Sequence, residues 1–410
     1  MTLLSVNDAQ ERILSHFQPV AAETLRLEEC ANRVLAQDVA ATTDLPPFDN
    51  SSMDGFAIRA EDAADVSDVS PRGLKVVADI PAGVSPTISL APGEAARIMT
   101  GAQVPDGADA VVPVENTDFN NRDAGSAAPE SVLINKSVNR GENVRSRGMD
   151  IRAGEVVLHK GRRLKPQDLG LLAMLGYATV SVYRRARVAL FSSGNELLEV
   201  GAALEPGKIR DSNSYTLVAL VEEAGAEVIR LGVAKDDRES VKALLDKAVD
   251  QSVDLILSSA GVSVGAFDFV REVIEANGIL DFWRVNMRPG KPLAFGEYKD
   301  IPFIGLPGNP VSAFVGFEVF VRGVIGKLNG IYNGSRRKVR VRCAEQIDSD
   351  GRESYLRAQV AEDQGTLVAR LTGHQGSGNL HSLVQANALL IIPAGVKCVP
   401  AGQEVNAWLI

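Results

Sequence analysis

The chain has 410 residues, 45% of them hydrophobic and 23% charged, with a formal net charge of −9 at pH 7. That length allows three or four domains with buried cores, and the acidic balance argues against a nucleic-acid partner and requires any anionic ligand to be held by local cations, loop N–H groups or a metal. Cys30, Cys343 and Cys398 are odd in number, far apart and without metal-ligand spacing, so free thiols in a reducing, cytoplasmic compartment are expected.

The N-terminus carries Asp8 and Glu11 and no apolar leader, so no signal peptide is expected. Ser5 can cap a helix over 5–17, whose Val6, Ala9, Ile13, Leu14 and Phe17 share one face, and a second helix is expected at 27–35. Pro46-Pro47 stops helical structure ahead of Phe48-Asp49-Asn50-Ser51-Ser52-Met53-Asp54-Gly55-Phe56-Ala57, a turn that offers an exposed carboxylate. Short β-like runs at 74–77, 95–99 and 110–114, separated by Pro and Gly, predict a small β-rich domain. Inside it, Thr100-Gly101 ends a strand where a hydroxyl and an open backbone N–H can face a ligand. After a polar loop at 120–128, Arg140, Arg145 and Arg147 lie among Glu142 and Asp150, which reads as phosphate contact or plain ion pairs. Pro166 and Gly176 bound a short helix over 166–175.

From Arg187 the chain alternates. An apolar strand at 187–191 leads to Ser192-Ser193-Gly194-Asn195-Glu196-Leu197, and Asp211-Ser212-Asn213 caps a helix over 214–224 that ends at Gly225. A strand at 227–233 runs into Lys235-Asp236-Asp237, and a helix over 239–249 precedes the strand Leu255-Ile256-Leu257. This predicts a doubly wound α/β domain with parallel strands, right-handed crossovers and helices on both faces.

Residues 254–268 are its central strand, loop and helix start. Gly261 and Gly265 allow close backbone approach to a phosphate, Ser258, Ser259 and Ser263 can donate to it, and Asp268 can hold a divalent cation. An ordinary βα turn would use the same residue types. The informative coincidence is that strand ends bring Ser192, Glu196, Asp236, Ser259 and Asp268 to one rim, with the three carboxylates of a metal-and-phosphate site. Arg284, Arg288 and Lys291 can neutralise phosphates or an oxyanion. In Pro307-Gly308-Asn309-Pro310, a capping Asn and a first-turn Pro head a helix that faces the same rim. The apolar run 301–317 is cut by Pro302, Pro307 and Pro310 and is not a membrane span. From Tyr332 on, alternating charged segments predict a separate β domain with one distinctive loop, Gly373-His374-Gln375-Gly376-Ser377-Gly378-Asn379. A metal pair of His374 and His381 lacks further ligands nearby.

In order along the chain, the 48–57 string, Arg97-Ile98-Met99-Thr100-Gly101-Ala102, Arg147-Gly148-Met149-Asp150-Ile151, residues 191–197, Gly261-Val262-Ser263-Val264-Gly265, Pro289-Gly290-Lys291-Pro292, residues 306–312 and Gly373-His374-Gln375-Gly376-Ser377 resemble the molybdopterin molybdenumtransferase family, the bacterial MoeA-type enzymes and the E domain of gephyrin. The resemblance spans essentially the whole chain. It implies a homodimer with an elongated, discontinuous N-terminal domain (1–45 and 139–176), a β-rich insert (46–138), an α/β molybdopterin-binding domain (177–330) and a C-terminal β-barrel-like domain (331–410). It also implies magnesium-dependent insertion of molybdate into adenylylated molybdopterin with release of AMP.

Carried onto this sequence, Glu196, Asp236 and Asp268 match acids that serve magnesium and substrate. Asp54 and Thr100 match residues that reach the partner subunit's site. Asp150, Lys291, Pro307 and Pro310 match functional positions, and Ser192, Ser259, Gly261, Ser263, Gly265, Arg284, Arg288, Gly308, Asn309 and Ser377 are expected at the substrate. Arg284 and Arg288 stand where the pattern has lysines, Ala260 where it has glycine, and Asn195 where many members have aspartate. Two other functions fit such a domain, a molybdopterin adenylyltransferase and a non-catalytic molybdopterin-binding scaffold. Pathway partners would be the adenylyltransferase and molybdoenzyme-maturation proteins, with no nucleic acid and no membrane.

Overall fold

In a computed structural model, which describes residues 3–120, 125–259, 269–331 and 336–410, the chain divides into two units. One comprises Met1–Gln37, Lys160–Gly170 and Ala178–Ile410, the other Asp38–His159 and Leu171–Tyr177.

The first unit is organised on a six-stranded sheet of β1 (Arg187–Ser193), β2 (Glu227–Ala234), β3 (Leu255–Ser259), β4 (Gly278–Arg284), β5 (Pro292–Tyr298) and β6 (Ile301–Leu306). Helices α1 (Asn213–Ala224), α2 (Arg238–Asp250) and α3 (Phe269–Asn277) connect the early strands, and α4 (Pro310–Gly316) follows β6. The spatial order is β2-β1-β3-β6-β5-β4. Successive side chains of β1 point to opposite faces: Val188 and Leu190 join Leu217, Val221 and Val311 in one core, while Ala189 and Phe191 join Val241, Leu245 and Ile274 in the other. Burial on both faces explains why Leu255, Ile256 and Leu257 form an unbroken apolar run. Helix Val6–Ser15, capped by Ser5 accepting from the Asp8 N–H at 3.1 Å, adds Ala9 and Ile13 to the first core.

Two expectations are corrected. The sheet is not wholly parallel: β2, β1, β3 and β6 are, but β5 runs antiparallel to both β6 and β4. Only Lys299 and Asp300 join β5 to β6, both with positive φ (48° and 67°), and a two-residue connection makes a hairpin where a parallel pair needs a crossover. The helix expected at 27–35 is a 3-10 turn, Leu27–Glu29. Asn32 adopts φ 62°, and the Leu35 N–H is drawn to the Arg162 carbonyl at 3.0 Å, so this segment pairs as extended chain.

The C-terminal part of this unit is a closed five-stranded barrel. Glu353–Asp363, Thr366–Leu371, Lys338–Cys343, Glu404–Leu409 and Ala388–Ile392 pair in that order, and the last pairs back with the first. The strand Met287–Arg288 pairs in parallel with Glu353 and Ser354, which lays the basic segment after β4 against the barrel.

The second unit contains a five-stranded sheet ordered Ala110–Pro113, Gly55–Ile58, Glu94–Ile98, Arg72–Ile80, Ser131–Ile134. Gly55 is required for its packing, because a Cβ there would lie 2.0 Å from the Val112 carbonyl oxygen. Among the described residues of the chain, no helix is long and apolar enough to cross a membrane.

Candidate functional site

The chain leaves β1 for β2 at the sheet edge and returns to β3 on the other side of β1, so the strand order reverses between β1 and β3. In open α/β sheets that reversal leaves a crevice beyond the strand C-termini. At the end of β1, a Cβ on Gly194 would lie 2.5 Å from Glu196 Oε2, so the glycine makes room for the Glu196 side chain to fold back over the turn. The Asn195 N–H donates to Asp236 Oδ2 at 3.0 Å, and the Asp236 N–H donates to Asn195 Oδ1 at 3.3 Å. This reciprocal pair ties the ends of β1 and β2. An aspartate at 195 would make the same acceptor contact. Glu196 is exposed, and its carboxylate has no partner among the described residues. The neighbouring Asp237 instead caps α2, accepting from the Ser240 N–H at 2.7 Å, and that bond holds its carboxyl below the usual range.

Behind the rim lies a buried polar network. Ser259 Oγ accepts from Asn213 Nδ2 at 2.7 Å, and the same amide group donates to the Gly308 carbonyl at 2.7 Å, linking the end of β3 to the turn before α4. Ser192 Oγ lies 3.0 Å from Ser214 Oγ, which also bonds Asp211. The hydroxyls of Ser192 and Ser259 therefore engage this network. Asn213 Oδ1 and Ser258 Oγ are buried with no partner among the described residues, the kind of orphaned polar atoms that mark a ligand or water site. Asp211 does act as a cap, accepting from the Ser214 N–H at 3.0 Å, but Asn213 is the first residue of α1 and turns inward, contrary to the expected cap. Its position four residues before Leu217, on the buried face of the helix, is the sequence signal for that role. Ala260, Gly261, Ser263, Gly265 and Asp268 lie outside the described residues.

The basic side comes from two directions. Arg284 is exposed, Arg288 lies 3.7 Å from Asp350, and Lys291 is half-buried with no side-chain partner among the described residues. Three residues along the barrel strand from Ser354 sits Arg357, which sequence reasoning did not find, at 0% exposure. Its guanidinium donates to Ser382 Oγ (3.0 Å) and to the carbonyls of His374 (3.2 Å), Gln375 (3.2 Å) and Gly376 (3.0 Å). The Gln375 amide accepts from the Arg357 N–H at 2.9 Å and donates to the Arg357 carbonyl at 3.1 Å, fixing the loop. Burial, and then the charge of Arg288, pull the Arg357 pKa down to about 10, so it remains a cation at neutral pH. All its acceptors are neutral, and a buried charge without a counter-ion is costly unless an anion completes it.

The same loop meets the rim: the Val311 N–H donates to the Ser377 carbonyl at 3.0 Å, at the head of α4. There Pro307 is buried, Gly308 is exposed, Pro310 occupies the first helical position, and Asn309 holds the cap position without a side-chain cap bond. In the second unit, Asp54 Oδ1 accepts both the N–H and the Oγ1–H of Thr100 at 2.7 Å, and Asp150 pairs with Arg145. Among the described residues, no three His, Cys, Asp or Glu side chains cluster as a metal site.

The chain matches the MoeA N-terminal region (domains I and II) over residues 4–176, the probable molybdopterin binding domain over 189–327 and the MoeA C-terminal region (domain IV) over 340–410. It is 39% identical to molybdopterin molybdenumtransferase 2 of Mycobacterium tuberculosis, covering 98% of this chain and 99% of that one. The chain belongs to the MoeA family. The MoeA-family molybdopterin molybdenumtransferase of Bacillus subtilis is 37% identical over 100% of this chain and 94% of its own. A crystal structure of the molybdopterin biosynthesis MoeA protein from Pyrococcus horikoshii superposes with a TM-score of 0.83 at 34% identity, covering 100% of this chain and 99% of that one. In MoeA terms, the β1–β3 crevice lies in the matched molybdopterin-binding domain, Arg357 and its loop in the C-terminal region, and Asp54, Thr100 and Asp150 in the N-terminal region.

Proposed function

We propose that this protein is a molybdopterin molybdenumtransferase that takes adenylylated molybdopterin and molybdate, inserts the metal into the pterin and releases AMP. The observation that carries the reading is charge left open in one unit. Among the described residues, the Glu196 carboxylate stands without a partner at the crevice, and Arg357 is buried without a counter-ion beside the loop that meets the head of α4. Cleaving a phosphoanhydride needs charge neutralisation and positioning more than a protein nucleophile. Arg288, Lys291 and Arg357 supply cations for the phosphate and molybdate oxygens, and Asn213 keeps the β3 end and the Gly308 turn in register under the substrate.

Magnesium fits this donor set, because it binds through one or two carboxylates plus substrate phosphates. Glu196 and Asp236 would hold it, with Asp268 as a third acid, and when bound it would draw negative charge from the phosphate oxygens. Asp54 and Thr100 we assign to the partner subunit's site in a homodimer, with the domain limits expected from the sequence. The three free cysteines, two of them buried, suit the cytoplasm.

The test is incubation of purified protein with adenylylated molybdopterin, magnesium and low molybdate, following AMP and protein-bound molybdenum together. Coupled, molybdate-dependent appearance of both is expected. Tight pterin binding with neither product would overturn the reading in favour of a scaffold.

A further inference from the structure

The turn that leads into the barrel strand Glu353–Asp363 carries an acid that the proposed reaction leaves unused. In Ser349-Asp350-Gly351-Arg352, Gly351 takes φ 86°. Backbone bonds pin the turn on both sides: the Ser349 N–H donates to the Lys397 carbonyl and the Gly395 N–H to the Gly351 carbonyl, both at 2.8 Å. Arg352 then grips the acid. Its Nη2 and Nε donate to Asp350 Oδ2 at 2.6 and 3.0 Å, and its backbone N–H donates to Oδ1 at 3.1 Å. These bonds, and after them the charge of Arg288, hold the Asp350 carboxyl below the usual range, so it is ionised at neutral pH. Arg352 Nη1 also donates to the Met287 carbonyl at 3.1 Å, and Met287–Arg288 pairs with Glu353 and Ser354, so the same turn holds the backbone of the basic segment.

The Arg288 side chain is held differently. Its Nη1 lies 3.7 Å from Asp350 Oδ2, within ion-pair distance but too long for a hydrogen bond, and it is half-exposed. Its charge also reaches Arg357, whose pKa, lowered first by burial, it lowers further. Arg288 is thus drawn by Asp350 and repelled by Arg357. An oxyanion at Arg357 would turn that repulsion into attraction. Asp350 keeps its three Arg352 bonds when Arg288 moves away, so releasing Arg288 leaves no unsatisfied carboxylate.

We propose that Asp350 is a positioning residue that acts through Arg288, holding its guanidinium while the site is empty and yielding it to the incoming oxyanion. Asp350 thereby sets how tightly molybdate or a substrate phosphate is held, and its presence weakens that binding. The inference rests on the function proposed above, in which Arg288 and Arg357 meet those oxygens. An exposed ion pair is weak, so the effect on affinity is about fivefold, equivalent to about 1 kcal/mol.

The test titrates the full-length chain with molybdate, followed by calorimetry, in wild type, Asp350→Asn, Asp350→Glu, Arg288→Ala and the double variant Arg288→Ala with Asp350→Asn. Asp350→Asn is expected to bind molybdate about fivefold more tightly, and Asp350→Glu to stay near wild type. With Arg288 replaced by alanine, Asp350→Asn should change nothing, because the cycle isolates the pair. Circular dichroism identifies a variant that fails to fold, in which case Asp350→Ser takes the place of Asp350→Asn. Unchanged or weaker binding in Asp350→Asn would overturn the proposal, as would no molybdate binding by wild type. An equal shift in the absence of Arg288 would also overturn it, making Asp350 purely structural. Molybdate-dependent AMP release by the same samples separates the two ideas. AMP release with molybdate affinity indifferent to Asp350 refutes the inference alone, and Asp350-dependent molybdate affinity without AMP release refutes the function alone.

Discussion

Helix α1 has a differently charged region at each end. Asn213 and Ser214 sit behind the rim where the Glu196 carboxylate is open, whereas Glu223 at the far end belongs to a closed cluster. There Glu318, with a side chain 0% exposed, is gripped by two guanidinium forks. Arg322 donates at 2.7 and 2.8 Å and Arg336 at 3.0 and 2.9 Å, and both also reach Glu223. Each buried charge in that cluster has its opposite, as a structural ion network must. Under the proposed function, Glu196 and Arg357, which have no opposite charge among the described residues, are groups whose partner arrives with the substrate.

The contrast can be broken from the closed side first. Glu318→Ala leaves Arg322 and Arg336 facing each other without their shared carboxylate and should cost about 3–5 kcal/mol in denaturant unfolding. AMP release by the protein that remains folded should stay within about twofold. Arg357→Lys is intermediate: the charge survives, but a lysine cannot span three consecutive carbonyls and Ser382 Oγ, so about 1–3 kcal/mol of stability should be lost together with molybdate affinity. Unchanged molybdate affinity in that variant would make Arg357 purely structural.

The smallest effect concerns pH. Lys242, then Lys299 and Tyr298, hold the Asp246 carboxyl well below the usual range. A folded-state pKa below the unfolded one gives stability that is fully present above the ordinary carboxylate range and is lost as pH falls below that range and through the lowered folded-state value. Asp246→Asn should therefore flatten the acid limb of a thermal-stability profile below about pH 4 and leave neutral-pH turnover untouched. An unaltered acid limb would show that these contacts add nothing.

Much of the α/β domain could be read from the sequence because apolar runs of strand length alternate with capped helices, and the acids after those runs, Glu196 and Asp236, do lie at strand ends. The antiparallel β5 was hidden because a fully buried strand shows no direction, and only the two-residue Lys299-Asp300 link betrays the hairpin. Leu27–Glu29 stopped short of a helix because the extended partners at Arg162 and Val182 are far away in sequence. The string Asp211-Ser212-Asn213 reads as a cap because Asp and Asn favour helix starts, and Asp211 does cap, but residue type alone does not show that Asn213 turns inward to Ser259 and Gly308. Arg357 was missed because its partners are backbone carbonyls, 17 to 19 residues further along, which leave no mark on residue type.

The most direct test of the open-charge account is the magnesium dependence of molybdate-stimulated AMP release in Glu196→Gln, an isosteric change that removes only the charge. The account predicts an unchanged unfolding midpoint, turnover reduced on the order of 100-fold, equivalent to about 2.7 kcal/mol, and partial recovery as magnesium is raised. Wild-type turnover with an identical magnesium curve would contradict it, and Glu196 would then be an ordinary solvated acid at a strand end.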